Sequence, residues 1–523
     1  MRTSSARLTE RLARVPVAAL VFSVLGIQIT ASHLTAPLGF YDEGLLVTDA
    51  FLLSKGQIPY RDFYANYPPG SFLLVRACSL VSAGATIHTM RVLALGIRVA
   101  GATLAAIIVG RLTRGRARVA AFAAVLLLQS RIELTMYAYV TAVALALGGV
   151  VALPTNTSRR GRFTASGVLF GLVSWFRHDL FMYGAVGAGV LALFARLAGR
   201  PIVARLPREA RRSFAVGLLS AVLPFWCFVL LSGGPSQVIH DLVLDQAKYT
   251  QPARVMPLPS FKGEQGVGLF NWTIPGYLTD YVTLGLLALA FAAALGAAHV
   301  VLQVRRRTSR DDLTLTTAFL LAISVATAPQ ALLRTDWAHV GYGVPATVAC
   351  LFGALGAIPA FSEFLVLLAF LPFVASHPGL IAPGELLARL KTRPDEDFIP
   401  PDRRAVSAAI HRLAGPDDRI FVGCTAHTRV IVSFVSVYYE SRRLGATRIQ
   451  QFDPGIVTRD DVQRRMIEEI ESHHPAAVVL ADGCYWNEPN ASSNLGSDRL
   501  DRYIATHYVA VEQVGAYHIM RPR

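Results

Sequence analysis

Long apolar stretches separated by short polar turns fill most of the first 380 residues. Runs near the length that carries a helix across a bilayer cover Val15–Ala36, His88–Gly110, Val119–Ser130, Leu134–Leu153, Phe163–Trp175, Leu180–Leu197 and Phe214–Ser232. Further runs cover Tyr277–Val304, Leu313–Leu333, Val340–Ile358 and Phe361–Ser376. At roughly 20 residues per crossing, the pattern predicts a polytopic α-helical membrane protein with about eleven transmembrane helices.

Two stretches between the spans read differently. Pro68–Gly84 opens on Pro-Pro-Gly and contains Arg76, so it is predicted to lie in the interface as a juxtamembrane helix of the first outer loop, 37–86. Gly233–Gly276 carries a helical pattern over Gln237–Lys248, then Pro252, Pro257 and Pro259. A connection of that length in a compact domain reads as a functional lid. After Pro378 the apolar spans stop. Strand-like runs at Arg419–Gly423, Ala476–Ala481 and Tyr508–Val514 alternate with helical patterns at Asp402–Leu413, Val430–Ser441 and Asp460–Ser472. Alternation of this kind predicts a small α/β domain over 391–523 behind a membrane domain over 1–380.

Composition agrees with a membrane protein. Of 523 residues, 53% are hydrophobic and only 16% charged, at a mean hydropathy of +0.43. Soluble domains are about 25% charged. The net charge of +15 would suit a nucleic-acid partner, but its placement excludes one. Arginines gather in short turns between spans: Arg111, Arg114, Arg116 and Arg118; Arg159, Arg160 and Arg162; Arg205, Arg208, Arg211 and Arg212; Arg305, Arg306, Arg307 and Arg310. Such turns face the cytoplasm and meet anionic lipid headgroups. With the N-terminus cytoplasmic and the first helix uncleaved, every cluster falls inside. An odd number of spans then puts the C-terminal domain on the extracytoplasmic side of a bacterial plasma membrane. A disulfide between Cys424 and Cys484 is allowed there.

The segments left outside carry the candidate chemistry. Asp42 and Glu43 follow the first span within Gly39-Phe40-Tyr41-Asp42-Glu43-Gly44. A carboxylate at that border suits a general base, and neighbouring acids diverge, so one is expected to order the other's surroundings. Arg334, Asp336 and His339 close the ninth span; Arg and His donors suit a phosphate oxygen, with Asp336 holding the arginine. Arg177, His178 and Asp179 end the fifth span at the same depth, where charge is costly unless it is paired or lines a watery cavity. Several outer turns thus bring charge to one level.

These residues carry a resemblance. The Asp42–Glu43 pair after the first helix, Tyr67-Pro68-Pro69-Gly70 opening a juxtamembrane helix, the basic turn after His88–Gly110 and Arg334-x-Asp336-x-x-His339 make the chain similar to GT-C type glycosyltransferases. The bacterial branch includes lipid A aminoarabinose transferase, protein O-mannosyltransferases and arabinofuranosyltransferases. The resemblance covers most of Val15–Ser376 and implies a polyprenyl-phosphate sugar donor, transfer on the outer membrane face and inversion at the anomeric carbon. The acceptor would be a cell-envelope glycan, lipid or protein. It implies Asp42 as general base and Glu43 as its support. Members differ in metal dependence, so a divalent cation held by Glu43 stays an open alternative. Arg334 and His339 would bind the leaving phosphate, with Arg177 and Lys55 as helpers and Asp336, His178, Asp179, Tyr41 and Tyr67 in support. Two other readings compete: a transporter or flippase of a lipid-linked glycan, and a non-catalytic glycan-binding scaffold.

Overall fold

The computed structural model describes residues 17–113, 117–130, 132–153, 160–199, 206–257, 281–305, 311–334, 336–355 and 383–523. They divide into two compact units. One comprises Met1–Leu34, Leu93–Pro224 and Leu258–Leu390; the other comprises Thr35–Val92, Phe225–Pro257 and Lys391–Arg523.

Four helical stretches among the described residues are long and apolar enough to cross a membrane: Thr86–Leu112, His178–Leu197, Arg208–Gly233 and Thr314–Leu333. Shorter apolar helices occupy Gly70–Val81, Ala117–Gln129, Ala138–Ala152, Leu286–Leu302 and Val344–Leu355. The expected count of about eleven is therefore not reached by helices meeting both criteria. The physical reason is length, since a helix of 13 to 15 residues rises only about 20–23 Å. Phe361–Ser376 lies outside the described residues, as do Arg114, Arg116, Arg159, Arg205, Arg306, Arg307 and Arg310.

In the first unit, Arg160–Phe176 crosses Arg208–Gly233 closely enough that a Cβ at Gly167 or Gly217 would run into the partner helix backbone. Small residues are what let helices approach in lipid. Arg98 sits fully buried in Thr86–Leu112 and donates to the carbonyls of Gln129 and Ile132, at 3.0 and 2.7 Å, and to that of Glu133. This guanidinium clamps the turn after Ala117–Gln129, and its charge is answered by carbonyl dipoles.

The second unit is built on a five-stranded sheet. β1 (Arg419–Cys424), β2 (Leu444–Gly445), β3 (Ala477–Ala481), β4 (Tyr508–Val514) and β5 (Tyr517–Pro522) lie in the order β2-β1-β3-β5-β4. β1 runs parallel to β2 and β3, while β5 is antiparallel to β3 and β4. Residues 430–435, predicted helical, are not. The amides of Ile431 and Val432 bond instead to the Cys484 carbonyl, and helix is confined to Ser436–Ser441. Cys424 and Cys484 are joined by a disulfide.

The first outer loop, which the sequence grouped with the spans, packs into this unit. Leu45 and Tyr64 join the hydrophobic core formed by the sheet and its helices. Leu38 N donates to Phe398 O at 2.8 Å, Tyr64 N to Arg448 O at 2.9 Å, and Thr48 Oγ1 to Val435 O at 3.0 Å. Gly44 explains how Asp42–Ser54 comes so close: a Cβ there would stand 2.7 Å from the Ser436 Cβ.

Candidate active site

In the second unit, Asp42 is the first residue of the helix Asp42–Ser54 and is exposed, while Glu43 is buried. Acids in a first turn are favoured by the helix dipole, but the two carboxylates point to different fates. Glu43 takes Arg91 Nε on Oε1 at 2.7 Å and Arg91 Nη2 on Oε2 at 2.6 Å, and the Gly39 amide at 3.0 Å. Both oxygens are therefore spent on a bidentate buried ion pair, the geometry that makes arginine a rigid clamp. Arg91 also donates to the carbonyls of Ala36 and Pro37, at 2.5 and 3.1 Å, which fixes the chain leading into Asp42.

The surroundings of Asp42 come from distant sequence. Asp453 is wholly buried and accepts from the Tyr41 hydroxyl at 2.9 Å, Asn66 Nδ2 at 3.1 Å and Gln451 Nε2 at 3.1 Å, with Arg254 Nη1 at 3.4 Å. Burial pushes the Asp453 carboxyl up, against Arg254 and the Tyr41 and Asn66 donors, and the negative charge of Asp42 pushes it further. Burial lowers Arg254, but Tyr41, Asp453, Tyr67 and Asp42 together hold it firmly protonated. Burial and Asp453 also keep the Tyr41 hydroxyl protonated. Asp42 thus stands in the field of one cation and one buried acid, beside a tyrosine locked as a donor. The turn Asp453-Pro454-Gly455 is set by Gly455, whose φ is +78° and whose added Cβ would meet Tyr249 O at 2.6 Å. That contact fastens the turn to the helical segment 235–254, which includes π-helical turns over His240–Leu244 and Gln246–Thr250.

Lys55 stands at the other end of Asp42–Ser54, about 20 Å along the axis at 1.5 Å per residue. It is exposed, and its Nζ lies 5.8 Å from the Phe51 ring. The helix separates it from Asp42.

In the first unit, Arg334 Nε donates to Asp336 Oδ2 at 3.0 Å, and Asp336 Oδ1 faces His339 Nδ1 at 2.6 Å and accepts the His339 amide at 3.0 Å. Asp336 is the N-cap of the turn Trp337–Gly341, so one side chain caps a helix and aims two donors. Burial would raise its carboxyl, but His339 and Arg334 bring it down to about 2. Arg177 is bidentate on Asp179, at 2.8 and 2.5 Å, reaches Gln330 Oε1 at 3.2 Å, and lies 4.6 Å over the Tyr139 ring. Gln330 O in turn accepts the Arg334 amide at 3.3 Å. The two basic groups that the sequence placed at one depth are thus linked through Gln330. His178 opens the helix His178–Leu197 beside them. Along that helix, an apolar cavity of about 190 Å³ is lined by Leu180, Phe181, Gly184, Phe170, Phe214 and Phe319 among others.

The sequence singled out Asp42, Arg334, Asp336, His339, Arg177 and Asp179; the structure adds Asp453, Arg254, Asn66 and Gln451 around Tyr41. The one available signal was the helical pattern before Arg254 in the long loop. Among the described residues no group of three or more His, Cys, Asp or Glu side chains has the arrangement of a metal site.

No family model and no curated protein matches the sequence. Among solved structures, the chain is similar to ArnT from Cupriavidus metallidurans bound to undecaprenyl phosphate, with 12% identity, a TM-score of 0.54, and coverage of 99% of this chain and 98% of that one. The apo state of the same protein is matched at 12% identity and a TM-score of 0.49, over 99% and 98% of the two chains. The oligosaccharyltransferase of Archaeoglobus fulgidus, tethered to an acceptor peptide, is matched at 13% identity and a TM-score of 0.48, over 88% of this chain and 69% of that one. The match to undecaprenyl-phosphate-bound ArnT extends over nearly the whole of both chains, and this chain shares the fold of that protein.

Proposed function

We propose that this chain transfers a sugar from a polyprenyl-phosphate donor to a cell-envelope acceptor on the outer face of the membrane, with inversion at the anomeric carbon. The observation that carries this reading is the environment of Asp42: an exposed carboxylate between Tyr41, whose hydroxyl is held by the buried Asp453, and Glu43, which is paired with Arg91. Asp42 takes the proton of the acceptor hydroxyl as that oxygen attacks the anomeric carbon. Glu43, spent on Arg91, positions the base and holds no metal. Arg334 and His339, aimed by Asp336, stabilise the charge that develops on the departing phosphate, with Arg177 supporting them.

The apolar cavity supports a lipid-borne donor, because its lining begins with Leu180 and Phe181, directly after Asp179 on the same helix. A prenyl chain held there would bring its phosphate toward Arg177. ArnT was crystallised with undecaprenyl phosphate, which has the same chemistry. The disulfide supports an extracytoplasmic C-terminal domain, since such bonds persist in oxidising compartments. A transport reading draws no support from Arg98, whose recorded bonds all go to backbone carbonyls.

The test is transfer by the full-length protein in lipid nanodiscs, from undecaprenyl-phosphate-linked sugars to cell-envelope extracts. Asp42→Asn is expected to lower the single-turnover rate by about 10²- to 10⁴-fold while donor binding is retained. Normal turnover by that variant would remove Asp42 from the base role.

A further inference from the structure

We propose that the loop Tyr485–Asn490 is a saccharide-binding platform that receives the acceptor glycan; this rests on the reading of the chain as a glycosyltransferase. Trp486 is 42% exposed although its loop is tightly fixed. Its indole Nε1 donates to Glu488 Oε1 at 3.0 Å, so the polar edge of the ring is tied down and the ring is held in one orientation. The loop starts at the disulfide-bonded Cys484, whose carbonyl takes the amides of Ile431 and Val432. Ser493 Oγ donates to Glu488 O at 2.7 Å, and Asn490 Nδ2 to Glu488 Oε2 at 2.9 Å. Tyr485 lies 5.6 Å beneath the Arg429 guanidinium.

The chemistry on offer is that of a sugar site. A pyranose presents C–H bonds on one face, whose partial positive charge meets the negative face of an aromatic ring. Its hydroxyls need planar polar partners beside that ring. Asn487 spends its amide oxygen on the Tyr485 hydroxyl at 3.1 Å and on Ser493 Oγ at 3.2 Å. Its exposed amide NH₂ has no acceptor recorded among the described residues. An aromatic face and an adjacent pair of donors on a rigid loop cost little entropy to bind against.

The platform is continuous with the acid network of its own unit. Asn490 Nδ2 also reaches the Arg254 carbonyl at 3.4 Å and Met256 Sδ at 3.4 Å. Arg254 is the residue whose guanidinium contacts Asp453 and feels Asp42. A glycan seated on Trp486 would therefore be linked through Glu488 and Asn490 to the group that surrounds the base.

Trp486 is the single tryptophan of 391–523, which makes it a reporter. The full-length protein in nanodiscs is titrated with tetrasaccharides of N-acetylglucosamine, mannose and arabinose, and the fluorescence of Trp486→Phe is subtracted. A saturable shift with at least one of them is expected; no shift with any overturns the proposal. A shift produced by phosphatidylglycerol vesicles alone assigns the ring to a lipid surface and also overturns it. Where transfer is measured, Trp486→Ala should raise the acceptor KM about five- to tenfold, with kcat and donor affinity unchanged and Trp486→Tyr restoring most of the loss. An unchanged KM overturns the platform while leaving the transferase reading intact. Saccharide binding by a protein that transfers nothing would sink the transferase reading and leave the platform standing.

Discussion

Asp336 holds Arg334 and His339 across two and three positions of sequence, and Arg177 holds Asp179 across two. Asp453, in the other unit, reaches Tyr41 across 412 positions, Asn66 across 387 and Arg254 across 199. The first arrangement is made of turns that grip their own ends, with one long link through Gln330. The second exists only after the chain has folded. Exposure differs as well: the Asp336 side chain is 42% exposed, while that of Asp453 is wholly buried. An exposed short-range pair such as Asp336–Arg334 can be lost and remade at small cost. A buried network assembled from remote segments is all-or-none, because each orphaned member pays its desolvation alone.

That contrast can be broken experimentally, beginning where most energy is at stake. Glu43→Ala strands Arg91 in a buried site and should cost about 3–5 kcal/mol, read as a fall in the unfolding midpoint of the second unit. A loss under ~1 kcal/mol would show the pair to be as weak as a surface bridge. Arg334→Ala removes a charge-assisted donor and should weaken donor binding about tenfold, more than acceptor binding; equal effects would count against the phosphate role.

Acidification should act on the buried acids of the second unit and on Asp336 with opposite sign. Burial raises the carboxyls of Asp453, Asp241 and Glu440. Their contribution favours the folded state below the unfolded carboxyl pKa, about 4, and is lost as pH rises through the raised folded values. Stability of the second unit, compared between wild type and Asp453→Asn, should show the wild type losing ground as pH rises from 4 to 7. Asp336, lowered to about 2, contributes above about pH 4 and loses that contribution as pH falls toward 2. Because it is partly exposed, Asp336→Asn should cost only about 1 kcal/mol. The smallest effect belongs to Lys55→Ala, expected to change transfer less than about twofold, as exposed substitutions away from a network do.

What was legible in the sequence follows the same division. Periodic apolar runs and charges placed at their outer ends belong to neighbouring residues, so Arg177, Asp179, Arg334, Asp336 and His339 could be picked out and the hold of Asp336 on Arg334 anticipated. Asp42 was conspicuous because it ends an apolar run. Asp453 was not singled out, since nothing nearby in sequence marks it as buried beside Tyr41. Arg254 stands between Pro252 and Pro257, beyond the helical pattern predicted over Gln237–Lys248, yet the helical segment continues to it. Among the described residues, several of the predicted spans are helices shorter than the apolar runs that pointed to them, because apolar length does not mark where a helix ends.

The second unit draws on three stretches of chain, the last of them Lys391–Arg523. While the ribosome is still producing that stretch, Tyr41 and Arg254 have no Asp453 to meet. The nascent polypeptide therefore emerges with Asp42 and its neighbours unframed, and the order of synthesis itself delays assembly of this buried network until Lys391–Arg523 has been delivered.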